Sequence, residues 1–387
     1  MPWPSPAPSW RAPRASRRGT ELIAIIVGTT AELIKMAPVY HELISRGRRT
    51  EFWYSGQHVE ELAGTLSDLD LPEPQEWLVP AEGARNLARP ADVPRWATQL
   101  TTTVLRKRRA LRRRLRSDGT PPVVLVHGDT FTAPLGALIG RLLGARVGHV
   151  EAGLRSGSLR HPFPEELNRR VTGRIVHVHF PPGQVAADNL RGRRLVVNTG
   201  ANTIIDAVRY ALEHPRQTSL ALPEQFGVAT LHRFELVRHE DMYRAVLETL
   251  KEYSAKLPII YFAGASERER LEQYRLLDLF DPVDFRIEDK LSYVAFLPIL
   301  AKARFVVTDS GGLQEECAHL GIPCAVHRAR TERPNGEGQK MVLTGFSTDK
   351  VRQFLDDYER YRGGAGVDQF HPSRVIADTI ENLGRSR

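Results

Sequence analysis

The chain lacks the features that mark a secreted, membrane-embedded or zinc-stabilised protein. Its 387 residues include two cysteines, Cys317 and Cys324, too few for a disulfide framework or a cysteine-rich zinc site. No window approaches the roughly 18 apolar residues of a membrane span, and the first residues contain no apolar stretch like that of a secretory signal. These absences predict a cytoplasmic protein that binds neither a metal ion nor a membrane and whose thiols pack as small apolar groups.

Acidic residues are scarce in two segments, which explains the formal net charge of +8. Residues 1–19 contain four arginines and no acid, and residues 106–116 (RKRRALRRRLR) carry eight positive charges. Setting these twelve charges aside leaves the remaining chain at −4. We interpret residues 1–19 as a disordered basic tail and residues 106–116 as a solvated helical face. Nucleic acid is therefore not the expected partner, although binding to RNA or to an acidic surface stays open as the weaker alternative.

Apolar strands alternate with helical segments along most of the chain, among them ELIAIIVG (21–28), VVLVHGD (123–129), LPIIYFAG (257–264) and ARFVVTDSG (303–311). Continuous β-branched runs of this kind predict parallel sheets with helices on both faces. The pattern breaks near residues 193–208. We therefore predict an α/β fold with two Rossmann-like domains, residues 20–195 and 196–370, and a ligand cleft between them. The C-terminal helix, residues 371–387, could pack back across the hinge.

The segment VTDSGGLQEE, residues 307–316, has the composition of an anion-binding turn. Ser310 is a good helix N-cap, and Gly311 and Gly312 allow a ligand to approach the backbone closely. The unpaired N–H groups at a helix N-terminus favour an anion such as phosphate, and Glu315 and Glu316 could accept hydrogen bonds from sugar hydroxyls. A diphosphate attached to a ribose would satisfy both demands, whereas an ordinary capped helix is the alternative interpretation.

Four candidate acids or bases follow predicted strands or begin helices. Asp129 and Glu151 follow strands, Glu165 lies at a probable helix start in HPFPEELNRR, and His232 follows GVATL. Each one alone is unremarkable, because an aspartate at the end of a strand more often caps the next helix than takes part in catalysis. Together on one cleft they would be unusual for a simple binding module and indicate an enzyme.

Six segments together resemble one family. They are HGDTFT, GHVEAGLRSG, PFPEELNR, NTGANTIIDA, TDSGGLQEE and RTERP, in that order. They are similar to the motifs of the non-hydrolysing UDP-N-acetylglucosamine 2-epimerases, and the similarity runs from about Ile23 to Leu355. The resemblance implies a glycosyltransferase-B type of fold, with UDP bound by the C-terminal domain and sugar chemistry in the cleft. It also implies a homodimer.

The resemblance also assigns roles to residues. Asp129, Glu151 and Glu165 match the family's catalytic carboxylates, and His232 matches its catalytic histidine, which would contact the leaving phosphate or shuttle a proton. Ser310, Gly311 and Gly312 would hold the diphosphate. The other implied site residues are Lys35 for catalysis and Glu316, Arg169, Arg333 and Thr30 for binding the UDP-sugar, with Glu316 accepting hydrogen bonds from the ribose.

The chemistry implied is 2-epimerisation of UDP-N-acetylglucosamine to UDP-N-acetylmannosamine. The C2 proton is not next to a carbonyl, so UDP must be eliminated and added back through a 2-acetamidoglucal, or a cofactor must oxidise a neighbouring carbon. No G-x-G-x-x-G opens a helix after a strand, so no cofactor is expected. Four alternatives remain: an enzyme that hydrolyses the glycal to release UDP and N-acetylmannosamine, a 2-epimerase for another nucleotide sugar, a glycosyltransferase on the same fold, and a non-catalytic nucleotide-sugar sensor.

Three segments depart from the family pattern. GTTAELIK (28–35) has Thr30 where the family has an arginine, and HRFEL (232–236) has Phe234 and Leu236 where it has an arginine and an asparagine. We expect these changes to remove polar contacts from the cleft. Gly264 stands about where bacterial members have a histidine that helps to bind a second substrate molecule, so allosteric activation by substrate is not expected.

Overall fold

The chain forms two separate six-stranded sheets. The computed structural model describes residues 22–59, 61–80, 87, 91–116, 121–155, 164–330 and 340–385. The predicted basic tail, residues 1–19, lies outside the described residues. Every strand pair in both sheets is parallel, as the continuous apolar runs predict.

The first sheet has the strand order β3-β2-β1-β4-β5-β6. Its strands are β1 (Ile23–Val27), β2 (Thr50–Tyr54), β3 (Glu76–Trp77), β4 (Val123–His127), β5 (Arg146–Val150) and β6 (Val178–Phe180). The accompanying helices are α1 (Thr30–Ser45), α2 (Leu62–Asp68), α3 (Asp92–Leu115), α4 (Thr132–Leu143), α5 (Glu165–Ile175) and α6 (Gln184–Asp188). Strands β1, β2 and β4 are buried along their whole length, so the sheet forms the centre of the domain core.

Helix α7 (Ile204–Glu213) leads from the first sheet to the second, whose strand order is β12-β11-β10-β7-β8-β9. The strands of the second sheet are β7 (Gly227–Thr230), β8 (Ile259–Ala263), β9 (Phe285–Asp289), β10 (Val306–Thr308), β11 (Cys324–Val326) and β12 (Met341–Leu343). Its helices are α8 (Phe234–Val237), α9 (Glu240–Ser254), α10 (Ala265–Gln273), α11 (Tyr293–Leu300), α12 (Gly311–Leu320), α13 (Thr348–Asp356) and α14 (Pro372–Arg385), with short 3-10 helices at Leu277–Leu279 and Tyr358–Tyr361. Both cysteines are buried and reduced.

Each sheet has the strand order 3-2-1-4-5-6 when its own strands are counted along the chain. This is the doubly wound Rossmann order, in which ligands bind outside the carboxyl ends of the strands where the order reverses. The reversal falls between β1 and β4 in the first sheet and between β7 and β10 in the second. The prediction of two Rossmann-like domains is confirmed. A ligand is therefore expected beside the residues that follow these four strands.

Contacts between elements of the two sheets fix how the domains meet. Asp68, at the end of α2, accepts hydrogen bonds from the Ser292 hydroxyl and the Val294 N–H, both 2.8 Å, and so caps α11 of the second domain. Helix α14 packs on α1, where the Arg46 guanidinium lies 2.5 Å from the Asp378 carboxylate. The exact boundary at residue 195 stays a prediction.

Residues 106–116 lie in α3, the 24-residue helix Asp92–Leu115, and just after it. One side of the helix is buried, including Trp96 and Leu111, while most of its basic side chains are exposed. Lys107 contacts the Glu76 carboxylate of β3 at 2.6 Å. Within the part of the chain that the structure describes, no helix combines the length and apolar character needed to cross a membrane.

Candidate active site

Glu151 follows β5 directly, and both its backbone and its side chain are constrained. Its backbone has a φ of +64°, a conformation that costs a residue with a Cβ about 1–3 kcal/mol and that occurs at functional sites. Its side chain is 3% exposed and forms an ion pair with the Lys35 ammonium. The Asn202 amide donates to the same carboxylate oxygen, and His127 Nε2 lies 3.7 Å from it. The structure therefore brings together two predicted site residues, Lys35 and Glu151.

Helix α1 holds Lys35 in place through its N-terminal cap. Thr29 accepts a hydrogen bond from the Glu32 N–H, and Glu32 accepts from the backbone N–H groups of Gly28 at 2.8 Å and Thr29 at 3.0 Å. This is a capping box, and it fixes the start of the helix after β1. Thr30, a predicted binding residue, is the first residue of the helix and is half-buried.

Glu32 is a buried carboxylate that the sequence analysis missed. It lies one turn before Lys35 and also accepts a hydrogen bond from the Thr130 hydroxyl, which follows β4, at 2.8 Å. Burial raises the pKa of Glu32 to about 7, and its hydrogen bonds with Gly28, Thr130 and Thr29 oppose this rise. The group thus ties the ends of β1 and β4 together at the strand-order reversal.

Asp129 and Arg169 form a second contact at the end of β4. The Arg169 side chain on α5 is 1% exposed and forms an ion pair with the Asp129 carboxylate, while the Asn168 amide donates to the Asp129 carbonyl at 2.8 Å. Glu165 is the first residue of α5 and lies one turn before Arg169, on the same face of the helix. The positive end of the helix dipole favours a carboxylate at that position. Three predicted site residues thus lie just after β4 (Asp129) and on α5 (Glu165 and Arg169).

In the second domain, a buried aspartate organises the loops after β7 and β10. Asp309 accepts hydrogen bonds from the backbone N–H groups of His232, at 2.9 Å, and Arg233, at 2.7 Å. The His232 ring lies 3.3 Å from the same carboxylate and stays 47% exposed. Asp309 therefore holds the predicted catalytic histidine beside the start of α12, although the sequence analysis gave Asp309 no role.

Ser310, Gly311 and Gly312, the residues predicted to hold a diphosphate, lie at the N-terminus of α12. Ser310 caps the helix by accepting from the Leu313 N–H at 3.4 Å, and Gly311 and Gly312 are partly exposed. Further along the helix Glu316 is buried. Burial, together with the charge of Glu316, raises the pKa of Tyr293 well above its ordinary value. Glu316 therefore lies deeper in the protein than the turn itself.

The two domains meet at Asn202, which lies just before α7. Its amide nitrogen donates to Glu151 and lies 3.4 Å from Glu315 Oε2 on α12. Asn202 was not among the predicted site residues, and Glu315 was predicted only as an acceptor for sugar hydroxyls. The available signals were modest: Asn202 belongs to the NTGANTIIDA motif, and Glu315 precedes Glu316. The TERP segment with Arg333 lies outside the described residues.

The departures from the family pattern have different structural settings. Phe234 is 61% exposed, and the Arg238 guanidinium lies 4.3 Å from the centre of its ring. Leu236 is fully buried in the apolar core of the second domain, and the loss of a polar contact from the cleft at this position stays a prediction. Gly264 begins α10, with its N–H donating to Glu267 at 2.8 Å. In the described segments, no group of three or more His, Cys, Asp or Glu side chains could hold a metal ion.

Comparisons with known proteins agree with the motifs. The family described as UDP-N-acetylglucosamine 2-epimerase matches residues 52–365. A UDP-N-acetylglucosamine 2-epimerase of Bacillus subtilis (strain 168) is 32% identical over 362 residues, covering 88% of each chain.

Solved structures of relatives show the same architecture. A Staphylococcus aureus MnaA–UDP structure is 28% identical with a TM-score of 0.74, covering 95% of this chain and 99% of its own. The Methanocaldococcus jannaschii UDP-GlcNAc 2-epimerase in complex with UDP-GlcNAc and UDP is 26% identical with a TM-score of 0.74, covering 94% of this chain and all of its own. The prediction of a glycosyltransferase-B type of fold is confirmed. The chain belongs to the UDP-N-acetylglucosamine 2-epimerase family, a family of isomerases.

Proposed function

We propose that the protein interconverts UDP-N-acetylglucosamine and UDP-N-acetylmannosamine by eliminating UDP and adding it back. The observation that carries this proposal is the buried Glu151, held by Lys35 and linked through Asn202 to the helix that Ser310 caps. A carboxylate for proton transfer and a helix N-terminus suited to a diphosphate thus lie in the same part of the molecule. Elimination of a nucleoside diphosphate needs both groups.

The reaction balances without a cofactor. A carboxylate removes the C2 proton, the electron pair of that C–H bond forms the C1–C2 double bond, and the C1–O bond breaks with its electrons leaving on UDP. A proton then returns to C2 on the opposite face while a diphosphate oxygen of UDP bonds to C1. Two proton-handling groups are required, one for each face. We assign this work to Asp129, Glu151 and Glu165.

The second domain would hold the leaving group. The N–H groups of Gly311 and Gly312 and the Ser310 hydroxyl would bind the diphosphate, and the dipole of α12 would stabilise the charge that develops on it. His232, held against Asp309 at the edge of this turn, would contact the phosphate or shuttle a proton. Glu316 would accept from the ribose. A homodimer stays a proposal drawn from the family resemblance, and a cytoplasmic location stays a proposal drawn from the sequence composition.

Proton NMR of UDP-N-acetylglucosamine in D₂O tests the reaction directly. We expect UDP-N-acetylmannosamine with deuterium at C2. Free UDP with N-acetylmannosamine would instead indicate hydrolysis of the glycal, and transfer of the sugar to an added acceptor without exchange at C2 would indicate a glycosyltransferase. An unchanged spectrum would contradict the proposed substrate.

Variants test the carboxylates. Asp129→Asn and Glu151→Gln should each lower turnover at least about a hundredfold, since removing one catalytic group for proton transfer typically has an effect of this size. UDP binding, measured by calorimetry, should survive in both. The exposed Glu224 provides the matched control, because it precedes β7, and Glu224→Gln makes the same chemical change away from the carboxyl ends of the strands. Near-normal rates in the Asp129 and Glu151 variants would remove those residues from the mechanism.

A further inference from the structure

Asn202 contacts groups of both domains and is itself fixed in orientation. It lies in the connection between the sheets, is 4% exposed, and precedes α7 by two residues. Its side-chain oxygen accepts from the Ile204 N–H at 3.3 Å, so the oxygen is used at the start of α7. The amide nitrogen must therefore point the other way, towards Glu151 and Glu315.

The two acceptors of this amide belong to the two halves of the proposed reaction. Glu151 follows β5 of the first domain, where the proton chemistry would take place. Glu315 lies on α12, four residues after the Gly311 that begins the helix where the diphosphate would bind. A single NH₂ group can donate two hydrogen bonds, and here its two acceptors come from different domains. A change in the position of α12 would therefore act on the Glu151 carboxylate through the Asn202 side chain alone.

We infer that Asn202 is a positioning residue that holds the Glu151 carboxylate in its reactive orientation and couples it to α12. Glu151 needs such support because its backbone is in the strained left-handed region, which persists only where the surroundings impose it. Lys35 holds the same oxygen from the opposite element, α1. Together the ammonium and the amide leave the carboxylate little freedom to rotate. This inference rests on the proposed function, because it takes Glu151 as a catalytic base.

The charged surroundings of Glu151 set the expected effect of changing Asn202. The groups facing it are Lys35 on α1, His127 on β4, His149 on β5 and, through the amide, Glu315 on α12. Replacing the amide NH₂ by a carboxylate oxygen would place a further anion against both glutamates. Since a like charge at hydrogen-bond distance disfavours ionisation, the base would need a higher pH to become active.

The decisive variant is Asn202→Asp, which keeps an oxygen to accept from the Ile204 N–H and replaces the donor by a negatively charged oxygen. We expect kcat to fall at least a hundredfold and the acid limb of the kcat–pH profile to move up by at least one pH unit. KM and the Kd for UDP should stay within threefold of the original chain. Asn202→Ser, whose hydroxyl can cap α7 without adding charge, should lower kcat and leave the acid limb within 0.3 of a pH unit.

Asn198→Asp is the matched control. Asn198 is exposed, and its side-chain oxygen accepts from the Gly183 and Gly200 N–H groups, so the same substitution keeps its acceptor contacts. It should leave kcat and the pH profile unchanged. UDP titrations of all three variants show whether each one is folded.

The outcomes separate the inference from the proposed function. If the original chain shows no exchange at C2, the proposed function and this inference are both wrong. If the original chain exchanges and Asn202→Asp binds UDP but retains the original kcat or the original acid limb, the proposed function stands and this inference is wrong. Equal losses in Asn202→Asp and Asn202→Ser, with no movement of the acid limb, would reduce Asn202 to a structural cap of α7.

Discussion

Removing the positive charge beside Glu151 should destabilise the protein by an amount that the structure allows us to estimate. Lys35→Met leaves a side chain of similar length but no ammonium group. The side chains of Lys35 and Glu151 are 9% and 3% exposed, so water cannot replace the lost interaction. Breaking a buried ion pair from one side costs about 3–5 kcal/mol. Asn202 still donates to the carboxylate, so we expect the free energy of unfolding to fall by about 3 kcal/mol, the lower end of this range.

The loss in the free energy of unfolding should be larger at pH 8 than at pH 5. At pH 8 the carboxylate of Glu151 in the variant is an uncompensated buried charge. As the pH falls, protonation of Glu151 removes that charge, so the difference between the variant and the original chain should shrink towards pH 5. Urea unfolding followed by tryptophan fluorescence and circular dichroism at pH 5, 6, 7 and 8 measures this difference.

A second substitution provides the control. In Lys35→Met/Glu151→Gln neither partner carries a charge, so most of the lost stability at pH 8 should return, and the double-mutant cycle should show a coupling above about 1 kcal/mol. A loss below about 1 kcal/mol for Lys35→Met at pH 8 would refute the reasoning. So would a loss that is the same at pH 5 and pH 8, because the uncompensated charge would then not be its cause.

Three further stability predictions can be checked by urea or thermal unfolding. Asp68→Ala should lower the free energy of unfolding by about 1–2 kcal/mol because it leaves the buried Val294 N–H of α11 without its cap. Asp68→Asn keeps an acceptor oxygen and should lower it less, so equal losses would contradict this explanation. Arg275→Gly should stabilise by about 0.5–1 kcal/mol because Arg275 has a φ of +52° after α10, whereas Arg275→Ala should bring no gain; a gain with alanine would exclude backbone strain as the reason. Burial raises the pKa of Glu32 from 4.5 to about 7, so its contribution to stability is complete below pH 4.5 and is lost as the pH rises through about 7. Glu32→Gln should therefore flatten a decline of about 3 kcal/mol between pH 4.5 and pH 8, and an unchanged slope would exclude Glu32 as its source.

The fold could be predicted because its signals are local. A run such as VVLVH, residues 123–127, is apolar throughout, and only a strand covered on both faces buries all five residues. The strand order is a long-range property that no short segment encodes. The two-residue strand Glu76–Trp77 shows a further limit, since it exists only because β2 lies beside it. The local sequence pattern therefore predicts the strands and helices but not the order of the strands in each sheet.

The candidate site could be predicted only in part, because short segments do not encode contacts between distant residues. Asp129 and Glu151 follow apolar strands, so their position at a sheet edge can be predicted from sequence alone. Asn202 and Asp309 depend on which groups the folded chain brings to them from 51 and 77 residues away. Leu236 shows a further limit: its motif follows His232 at the candidate site, but the apolar side chain that this chain carries there packs in the core. Motif position predicts the neighbourhood of a residue and not the direction of its side chain.

The positive charges of the first domain bear on how the proposed leaving group would be stabilised. Lys35 and Arg169 each form an ion pair with a carboxylate, Glu151 and Asp129 respectively, so much of their charge is already neutralised. Thr30 adds no charge where the family has an arginine. The diphosphate would then depend more heavily on the second domain, on the N–H groups at the start of α12 and on the half-exposed His232. Under the proposed function, substitutions at Gly311 or Gly312 that crowd this turn should therefore impair turnover more than restoring an arginine by Thr30→Arg improves it.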